Sequence, residues 1–311
     1  MTSISYALEA QLTMSQCSKS FFWARRFLSA QQAMDTAILY AFCRYVDDVA
    51  DRSLQPLDQL IRIENDLITG HSLIPPVQAY LQLANRLNLP LDIVMVLMKT
   101  LQKDQKGMRI KDQAELIRYC YGVASTVGLL MCRVLGVNQE KAYPFAIDLG
   151  IGMQLTNISR DVYEDAFEDK IYLPQSAFIT QVDPISIVDL DPNTLDQVQR
   201  VTTSLLKLAR LYYRSGDQGL HYLPAKARLA ILLASRLYEA KGDKIFSNPS
   251  RFLLQRADTS LFQKVYHTGK ASCLFAFHPL YKKGLKAQPH QQALHQAIVD
   301  LPGAHRPIYE T

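Results

Sequence analysis

The sequence has few of the features that mark a secreted or membrane-spanning protein. Its five cysteines are odd in number and none forms a CxxC pair, so their spacing supports neither a disulfide framework nor a metal-thiolate site. The start of the chain has no basic stretch followed by an apolar core, and the most apolar run, residues 123–137, contains Arg133 and is too short to span a bilayer. We expect a cytoplasmic protein, and peripheral membrane association is compatible with these features.

The chain also has no concentrated run of positive or negative charge. The 34 Lys and Arg and 29 Asp and Glu residues give a formal charge of +5, and the basic residues are scattered instead of forming a stripe. We therefore expect no nucleic-acid partner. Mild basicity favours an anionic small substrate or an anionic membrane surface, and nothing in the sequence indicates an obligate protein partner.

Strand-like alternation of apolar and polar residues is missing, and every long segment has helical spacing instead. With 48% hydrophobic residues, the pattern predicts an all-α bundle. No linker divides it, so we expect a single domain over residues 1–285, with a polar loop over 180–193 and one helix over 250–268. The tail over 286–311 is polar and contains three prolines, and we expect it to be loosely ordered.

An acidic stripe occupies the segment QLTNISRDVYEDAFEDKIYLP, residues 154–174. Asn157, Asp161 and Asp165 are spaced i, i+4, i+8, which places them on one face of a helix, and Gln154 extends that face. Asp and Asn are mediocre helix residues because their side chains compete for backbone partners. The stripe is either a solvated acidic face or a ligand face for Mg²⁺, which prefers oxygen ligands. Alone it does not distinguish the two.

A second stripe, about a hundred residues upstream, favours the metal interpretation. Tyr40, Arg44, Asp47 and Asp51 share one helical face, and the other faces of that helix are apolar. Such a helix is expected to be buried, and buried carboxylates are rare unless they are paired or metal-bound. Arg44 can neutralise one of the aspartates. Two acidic faces suggest a shared cation cluster, with a diphosphate as the substrate.

Two other patterns each leave two interpretations open. Ser18, Lys19 and Ser20 precede an apolar run, where they would receive a phosphate or simply cap a helix. Gly122 and Gly128 lie within a predicted helix together with other small residues. Glycine costs roughly 1 kcal/mol relative to alanine there, so these positions indicate either close helix packing or space for a ligand.

Together the motifs resemble those of the squalene/phytoene synthase family. The signatures are DDVAD (residues 47–51) and NISRDVYED (157–165), followed by IYLP. SKSF, YAFCRYVDD, YCYGVASTVG, YYRSGDQGLHYLP and RLYEAKGDKI appear in family order, and the last two are most similar to the phytoene synthase branch. The resemblance covers roughly residues 18–256. The chain departs from it at Ser125, where the family usually has glycine, which leaves the cavity shape and the substrate length open.

The resemblance implies an isoprenoid synthase helical bundle around a central hydrophobic cavity. It implies Mg²⁺-dependent head-to-head (1′-1) condensation of two prenyl diphosphates, with Mn²⁺ as a substitute metal. Carried over by position, the expected metal ligands are Asp47, Asp51, Asn157, Asp161 and Asp165, near Gln154. The expected phosphate contacts are Ser18, Lys19, Arg44, Arg160 and Lys170. Aromatic candidates for the cavity are Phe21, Phe22, Tyr40, Tyr121, Phe145 and Tyr238, although aromatic residues in helices are also ordinary core residues.

The expected reaction joins two geranylgeranyl diphosphates into 15-cis-phytoene through prephytoene diphosphate. The alternative is a squalene, dehydrosqualene or presqualene diphosphate synthase that uses farnesyl diphosphate. NADPH would be needed only by the squalene type, and the chain has no Gly-rich dinucleotide fingerprint. A non-catalytic assembly factor with the same fold is the third hypothesis, but we would expect such a protein to have lost its aspartates.

Overall fold

A computed structural model describes residues 3–104, 107–254, 257, 260–278 and 289–304. These residues form fifteen α-helices and no β-strand; an isolated bridge joins Arg109 to Ile171. The helices are α1 Ser3–Cys17, α2 Lys19–Ala24, α3 Ala30–Arg52, α4 Pro56–Thr69, α5 Pro75–Leu87, α6 Leu91–Lys103, α7 Gln113–Cys120, α8 Thr126–Val134, α9 Tyr143–Arg160, α10 Val162–Phe167, α11 Pro184–Val188, α12 Pro192–Gln218, α13 Ala225–Ser247, α14 Pro249–Leu254 and α15 Leu261–Phe277. The predicted all-α bundle is confirmed. In the described ranges, no helix combines the length and the hydropathy needed to cross a bilayer.

Local sequence signals explain where several helices begin and end. Ser29 caps α3 by accepting a hydrogen bond from the Gln32 backbone N–H at 3.2 Å, and Asp112 and Asp191 cap α7 and α12 in the same way. Proline occupies the first turn of α4, α5 and α12, where its missing N–H costs nothing. Gly136 has a φ of 80°, a left-handed conformation that suits the end of α8.

Helix α9 lies at the centre of the bundle, and its neighbours approach it closely. A Cβ at Gly150 would lie 2.7 Å from the Cα of Ser125, in the π-helical turn Tyr121–Ser125 that joins α7 to α8. The Ser125 hydroxyl donates a 2.8 Å hydrogen bond to the Ile147 carbonyl. A Cβ at Gly122 would lie 2.1 Å from Oγ1 of Thr100. Gly122 is therefore explained by close helix packing, because a larger residue would clash with Thr100. Ser125 joins its turn to α9 through the hydrogen bond to Ile147.

Two secondary-structure predictions are wrong. The expected polar loop over 180–193 contains the short helix α11, which Asp183 caps by accepting a 2.8 Å hydrogen bond from the Ser186 N–H. The single helix expected over 250–268 is two helices, because Ala257 between them is not helical. Ser260 begins α15 with a reciprocal capping box to Gln263, and such a cap marks a new N-terminus within an apparently continuous apolar pattern.

The expectation of a loosely ordered tail is also wrong where the tail is described, over residues 289–304. Ile298 is fully buried, and the Tyr212 hydroxyl donates to the Leu294 carbonyl at 2.9 Å. Arg118 forms two hydrogen bonds with Asp300, at 2.6 and 2.8 Å. Residues 286–288 and 305–311 lie outside the described residues. The polar composition of the tail reflects these pairings with distant helices, which composition alone does not reveal.

The tail is held at its centre by a buried carboxylate on α9. Asp148 has no exposed surface. It accepts hydrogen bonds from Nε2 of His295 and Nε2 of His290, each at 2.8 Å, and from the Ser215 hydroxyl at 2.5 Å. A carboxylate only accepts, so both Nε2 atoms carry the proton. This His–Asp–His cluster joins the tail to the helix that also carries the second acidic stripe.

We predict that His295→Ala destabilises the protein by about 2–4 kcal/mol, because it removes a donor from a fully buried carboxylate and leaves a void. The measurement is the free energy of unfolding from urea titration, followed by helical circular dichroism. His71→Ala is the control, since His71 is exposed and its loss should change stability by less than about 0.5 kcal/mol. Equal midpoints for both variants would contradict the assigned role of the cluster.

Candidate active site

A large cavity, of about 740 Å³, lies within the bundle. Apolar side chains from α8, α9 and α13 form much of its wall, among them Val127, Met131, Leu149, Met153 and Ile231. Its volume is in the range typical of small-molecule sites. Phe145 lines it twelve residues before Asn157 on α9, so the cavity extends along that helix for about 18 Å.

The two acidic stripes meet at this cavity. Asp47 and Asp51 of α3 line it together with Asn157 of α9 and with Asp161, the residue that ends α9. Gln154 also lines it and accepts a 3.2 Å hydrogen bond from the Asn157 amide. Residues that are far apart in sequence thus place four oxygen-bearing side chains on one surface.

Burial, and then the neighbouring charge of Asp51, raise the pKa of Asp47 to about 7. The Asp47 side chain is 48% exposed, but it lines the cavity, where surrounding protein atoms still disfavour charge. Solvent that enters the cavity screens part of this effect. A bound cation would offset the repulsion between the Asp47 and Asp51 carboxylates. The charge of Asp51 would then no longer raise the pKa of Asp47.

Two arginines pair with aspartates of the stripes. Arg44 binds Asp48 through Nε at 3.0 Å and through Nη2 at 2.5 Å, and it contacts Asp47 at 3.3 Å. Arg160 is paired with its neighbour Asp161. Both arginines line the cavity, where their charge is available to an anionic group as well as to these carboxylates.

Lys170 lies behind the first stripe instead of in the cavity lining. It is buried, donates a 2.7 Å hydrogen bond to Asp51, and lies 3.7 Å from Asp104. Asp104 in turn accepts hydrogen bonds from the hydroxyls of Tyr119 and Tyr172, each at 2.7 Å. Sequence reasoning missed Asp104, Tyr119 and Tyr172 as site residues, because they come from three separate segments. Their arrangement positions Asp51 through Lys170.

Asp165 is the member of the second stripe that does not line the cavity. It lies beside Lys170, and burial, followed by the charge of Asp161, raises its pKa well above the usual range. The helix breaks at Asp161, where φ is −103° and ψ is 16°. The i, i+4, i+8 face predicted for a continuous helix is therefore interrupted before Asp165, and the metal-ligand role of Asp165 stays a prediction.

Tyr121 does not occupy the predicted position. It is fully buried, and its hydroxyl donates to the Pro302 carbonyl of the tail at 2.5 Å. It is absent from the cavity lining, as is Phe22, which packs against the guanidinium of Arg25. The prediction that Tyr121 contacts substrate does not fit this position. Its π-helical turn directs it towards a tail whose docking the sequence did not indicate.

Several of the predicted phosphate and aromatic positions line the cavity together with the acidic residues: Ser18, Lys19, Phe21, Tyr40 and Tyr238. Ser18 caps α2 with a 3.5 Å hydrogen bond from the Phe21 N–H and also lines the cavity with Lys19, so both interpretations of this segment are compatible with the structure. The ring of Phe21 lies 6.3 Å from that of Tyr40 and 5.3 Å from that of Tyr238. All three rings line the cavity.

The cavity is also lined by two cationic side chains that the sequence analysis did not single out, Arg25 and Lys241. Lys241 is buried, and its ammonium lies 4.5 Å from the centroid of the Tyr238 ring. The spacing of Tyr238 and Lys241 in RLYEAKGDKI, three residues apart on a helix, was the signal available for it. Arg25 follows α2 and carried no such signal.

The donor set fits a hard divalent cation. Carboxylate and amide oxygens are the ligands that Mg²⁺ prefers, and the cavity offers them from Asp47, Asp51, Asn157 and Asp161. The carbonyl oxygen of the Asn157 side chain is buried and accepts no hydrogen bond from the residues described. A buried acceptor without a donor is costly unless something binds it, and a cation would satisfy it.

The architecture is shared with solved structures. A dehydrosqualene synthase crystallised with a ligand superposes with a TM-score of 0.77 at 24% identity, covering 88% of this chain and 98% of that chain. A squalene synthase from Alicyclobacillus acidocaldarius gives 0.65 at 20% identity, covering 77% and 92%. The fold is therefore that of the α-helical isoprenoid synthases.

Sequence comparison narrows the class to a family. The family model for squalene/phytoene synthase matches residues 14–263. A 15-cis-phytoene synthase from Enterobacter agglomerans is 32% identical over 271 residues, which cover 80% of this chain and 88% of that protein. A phytoene synthase from Rhodobacter capsulatus is 30% identical over 305 residues, 94% and 88% of the two chains. The chain belongs to the squalene/phytoene synthase family and is a prenyltransferase-type enzyme.

We predict that the unfolding free energy of Asp47→Asn rises relative to that of the wild-type protein as the pH increases from about 4 to about 7, when both are measured without divalent metal. The folded-state pKa of Asp47 is raised to about 7, so the folded protein binds a proton that the unfolded chain has already lost. The wild type therefore loses stability through that window, and the asparagine variant does not.

The measurement is the difference in unfolding free energy at a series of pH values in chelator. Asp58→Asn is the control, because Asp58 is exposed on α4 and should give no such slope. If the difference in unfolding free energy between Asp47→Asn and the wild type stays constant from pH 4 to pH 8, the pKa of Asp47 is not raised in the folded protein.

Proposed function

We propose that this enzyme joins two molecules of geranylgeranyl diphosphate head to head to form 15-cis-phytoene, with Mg²⁺ as its metal. One observation carries the proposal. Two acidic stripes, from α3 and from the end of α9, line one part of a cavity whose remaining wall is largely apolar. Such a site accepts a diphosphate bound through a cation and a prenyl chain that needs an apolar surface.

Bacterial relatives support the choice of the C20 substrate. Those from Enterobacter agglomerans and Paracoccus are named 15-cis-phytoene synthases, and each is 32% identical to this chain. The departure at Ser125 gives no reason against them, since Ser125 is fully buried, bonds to the Ile147 carbonyl and is absent from the cavity lining. The cavity shape is thus not altered directly by that side chain.

In the proposed reaction, the allylic carbon–oxygen bond breaks and diphosphate leaves with the electron pair. A bound Mg²⁺ supplies Lewis-acid stabilisation of the departing oxygens. Lys19, Arg160 and Lys241 line the cavity and add positive charge where negative charge develops. Because Arg160 is nearly buried, its interaction with the diphosphate is less screened than that of a surface arginine.

The carbocation left behind needs aromatic faces and an absence of water. Phe21, Tyr40 and Tyr238 present adjacent rings in the cavity, and the negative face of an aromatic ring attracts a cation. The apolar wall excludes water that would otherwise capture the cation. The double bond of the second prenyl diphosphate then attacks the cation, and loss of a proton gives prephytoene diphosphate. The remaining carbon–oxygen bond of that intermediate breaks, the second diphosphate leaves with the electron pair, and the cation rearranges. Loss of a second proton ends the phytoene-type reaction.

The squalene-type reaction on farnesyl diphosphate is the second candidate, because solved structures of that type share the fold. It ends with reduction of the cation by NADPH or with loss of a proton. A non-catalytic role is disfavoured because both acidic motifs are complete. Since the substrates are amphiphilic and the hydrocarbon product is apolar, the proposal includes peripheral contact with a membrane.

We predict that Asp47→Ala and Asp161→Ala each lower kcat by about 10²-fold or more, because each removes an oxygen ligand proposed for the metal. Product formation is measured on purified variants whose circular dichroism matches the wild type. Asp58→Ala is the control and should retain wild-type activity, because this exposed carboxylate on α4 is outside the cavity lining. Near-normal turnover by either cavity variant would refute the assignment of the metal site.

We also predict that the purified enzyme with Mg²⁺ converts geranylgeranyl diphosphate to phytoene without NADPH, and that farnesyl diphosphate is the poorer substrate. Extracted hydrocarbons are analysed after parallel incubations with each diphosphate, with and without NADPH. A C30 product as the main outcome would assign the enzyme to the alternative branch. Absence of product from either substrate, with the fold intact, would favour the non-catalytic hypothesis.

A further inference from the structure

Helix α15 exposes a continuous apolar surface that no described part of the chain covers. Leu261, Phe262, Val265 and Tyr266 are 66%, 80%, 55% and 59% exposed, and Phe277 at its end is 78% exposed. The first four are spaced i, i+1, i+4, i+5 and therefore share one face. Large exposed apolar patches on a protein surface mark an interaction site.

The charge of this segment is entirely of one sign. Helix α15 contains no Asp or Glu; of its two lysines, Lys270 is exposed and Lys264 is buried. The acidic residues of α13 that lie near His267 are Glu239 and Asp243. They are paired with Arg236 and Arg210, which weakens their effect on the positive charge of α15.

The exposed apolar residues of α4 lack this combination. On α4, Leu57, Ile61 and Ile68 are 46%, 43% and 57% exposed, but Asp58 and Asp66 lie on the same helix. Acidic residues interspersed with apolar ones are ordinary for a solvated surface and oppose contact with an anionic partner. Surface hydrophobicity therefore coincides with positive charge and an absence of acidic residues at α15 and not at α4.

A tryptophan and an arginine extend the surface of α15. The indole N–H of Trp23 donates to the Thr268 hydroxyl in the middle of α15 at 3.0 Å. Arg26 is exposed, and its guanidinium lies 4.4 Å from the centroid of the Trp23 ring. Tryptophan and arginine are the side chains that suit the boundary between lipid headgroups and acyl chains.

The inner face of α15 packs close to the cavity. Ala271 is fully buried in a cluster with Leu232 and Leu233 of α13 and Ala24 of α2. Ile231 and Ala234, on the same helix α13, line the cavity. Helix α13 thus lies between α15 and the cavity.

We propose that the outer face of α15, together with Trp23 and Arg26, docks on the surface of an anionic lipid bilayer. An amphipathic helix with lysines, aromatic residues and no acidic residue is suited to lie in the plane of a membrane interface. Anionic lipids attract its cations, and the exposed apolar side chains enter the headgroup boundary. The reason for such docking rests on the proposed function, which handles prenyl chains and releases a hydrocarbon.

The experiment is flotation of the full chain with vesicles, without substrate. One set contains phosphatidylcholine alone, and the other adds phosphatidylglycerol. We expect binding to the anionic vesicles that weakens as salt increases. Phe262→Glu/Tyr266→Glu should lower the bound fraction by about tenfold or more, because it places carboxylates in the interface. Lys270→Glu should lower the preference for anionic vesicles.

The matched control is Leu57→Glu/Ile61→Glu on α4, which should bind vesicles as the wild type does. Equal binding by the wild type and the α15 double variant, or no binding to anionic vesicles, would overturn the proposal. So would a dimer of the wild type in ultracentrifugation that the α15 double variant loses, because a second copy would then cover this face.

A separate activity assay distinguishes the failure of docking from the failure of the proposed function. With substrate supplied in detergent micelles, the α15 double variant should form hydrocarbon at the wild-type rate, since its altered residues do not line the cavity. Loss of vesicle binding with full micellar activity supports the docking surface. Vesicle binding without any product would leave docking intact and refute the proposed reaction.

Discussion

Holding several carboxylates together at the wall of an apolar cavity is the constraint on which the rest of this structure depends. Like charges in a poorly solvated place repel one another, and burial adds to the cost. The protein limits that cost by giving most of the acids their own partners. Arg44 pairs with Asp48, Arg160 with Asp161. Lys170 pairs with Asp51.

Two groups that the neighbouring side chains compensate only in part identify the reactive part of the cavity; one of them is Asp47, whose contact with Arg44 is 3.3 Å long. Asp47 keeps a pKa raised to about 7, with Asp51 as a cause after burial, and the buried side-chain oxygen of Asn157 accepts no hydrogen bond from the described residues. Both features would be liabilities in a protein selected for stability alone. They are explained if a cation with its diphosphate completes the site, because the ligand then provides the missing interactions.

Helix α9 connects this site to the far side of the bundle. One part of the helix offers Asn157 to the cavity, and about two and a half turns earlier Asp148 holds His290 and His295 of the tail. The tail also receives the Tyr121 hydroxyl from the π-helical turn, next to cavity residues Val123 and Ala124. The tail therefore supports two elements of the cavity wall, which a loosely ordered segment would not do.

The sequence by itself determined the helical class and the two acidic stripes, because helical periodicity and residue spacing are local properties. Asp47, Asp51, Asn157 and Asp161 of these stripes line one cavity in the structure, and their roles as ligands stay predictions. The expectations for the helix over 250–268 and for the described part of the tail were wrong, and Tyr121 lies outside the cavity lining. Only the tertiary structure decided which carboxylate pairs with which cation, that Asp104 joins Tyr119, Tyr172 and Lys170, and that α15 has an uncovered face. The reason is physical: these facts depend on contacts between segments far apart in the chain, and neither composition nor periodicity encodes such contacts.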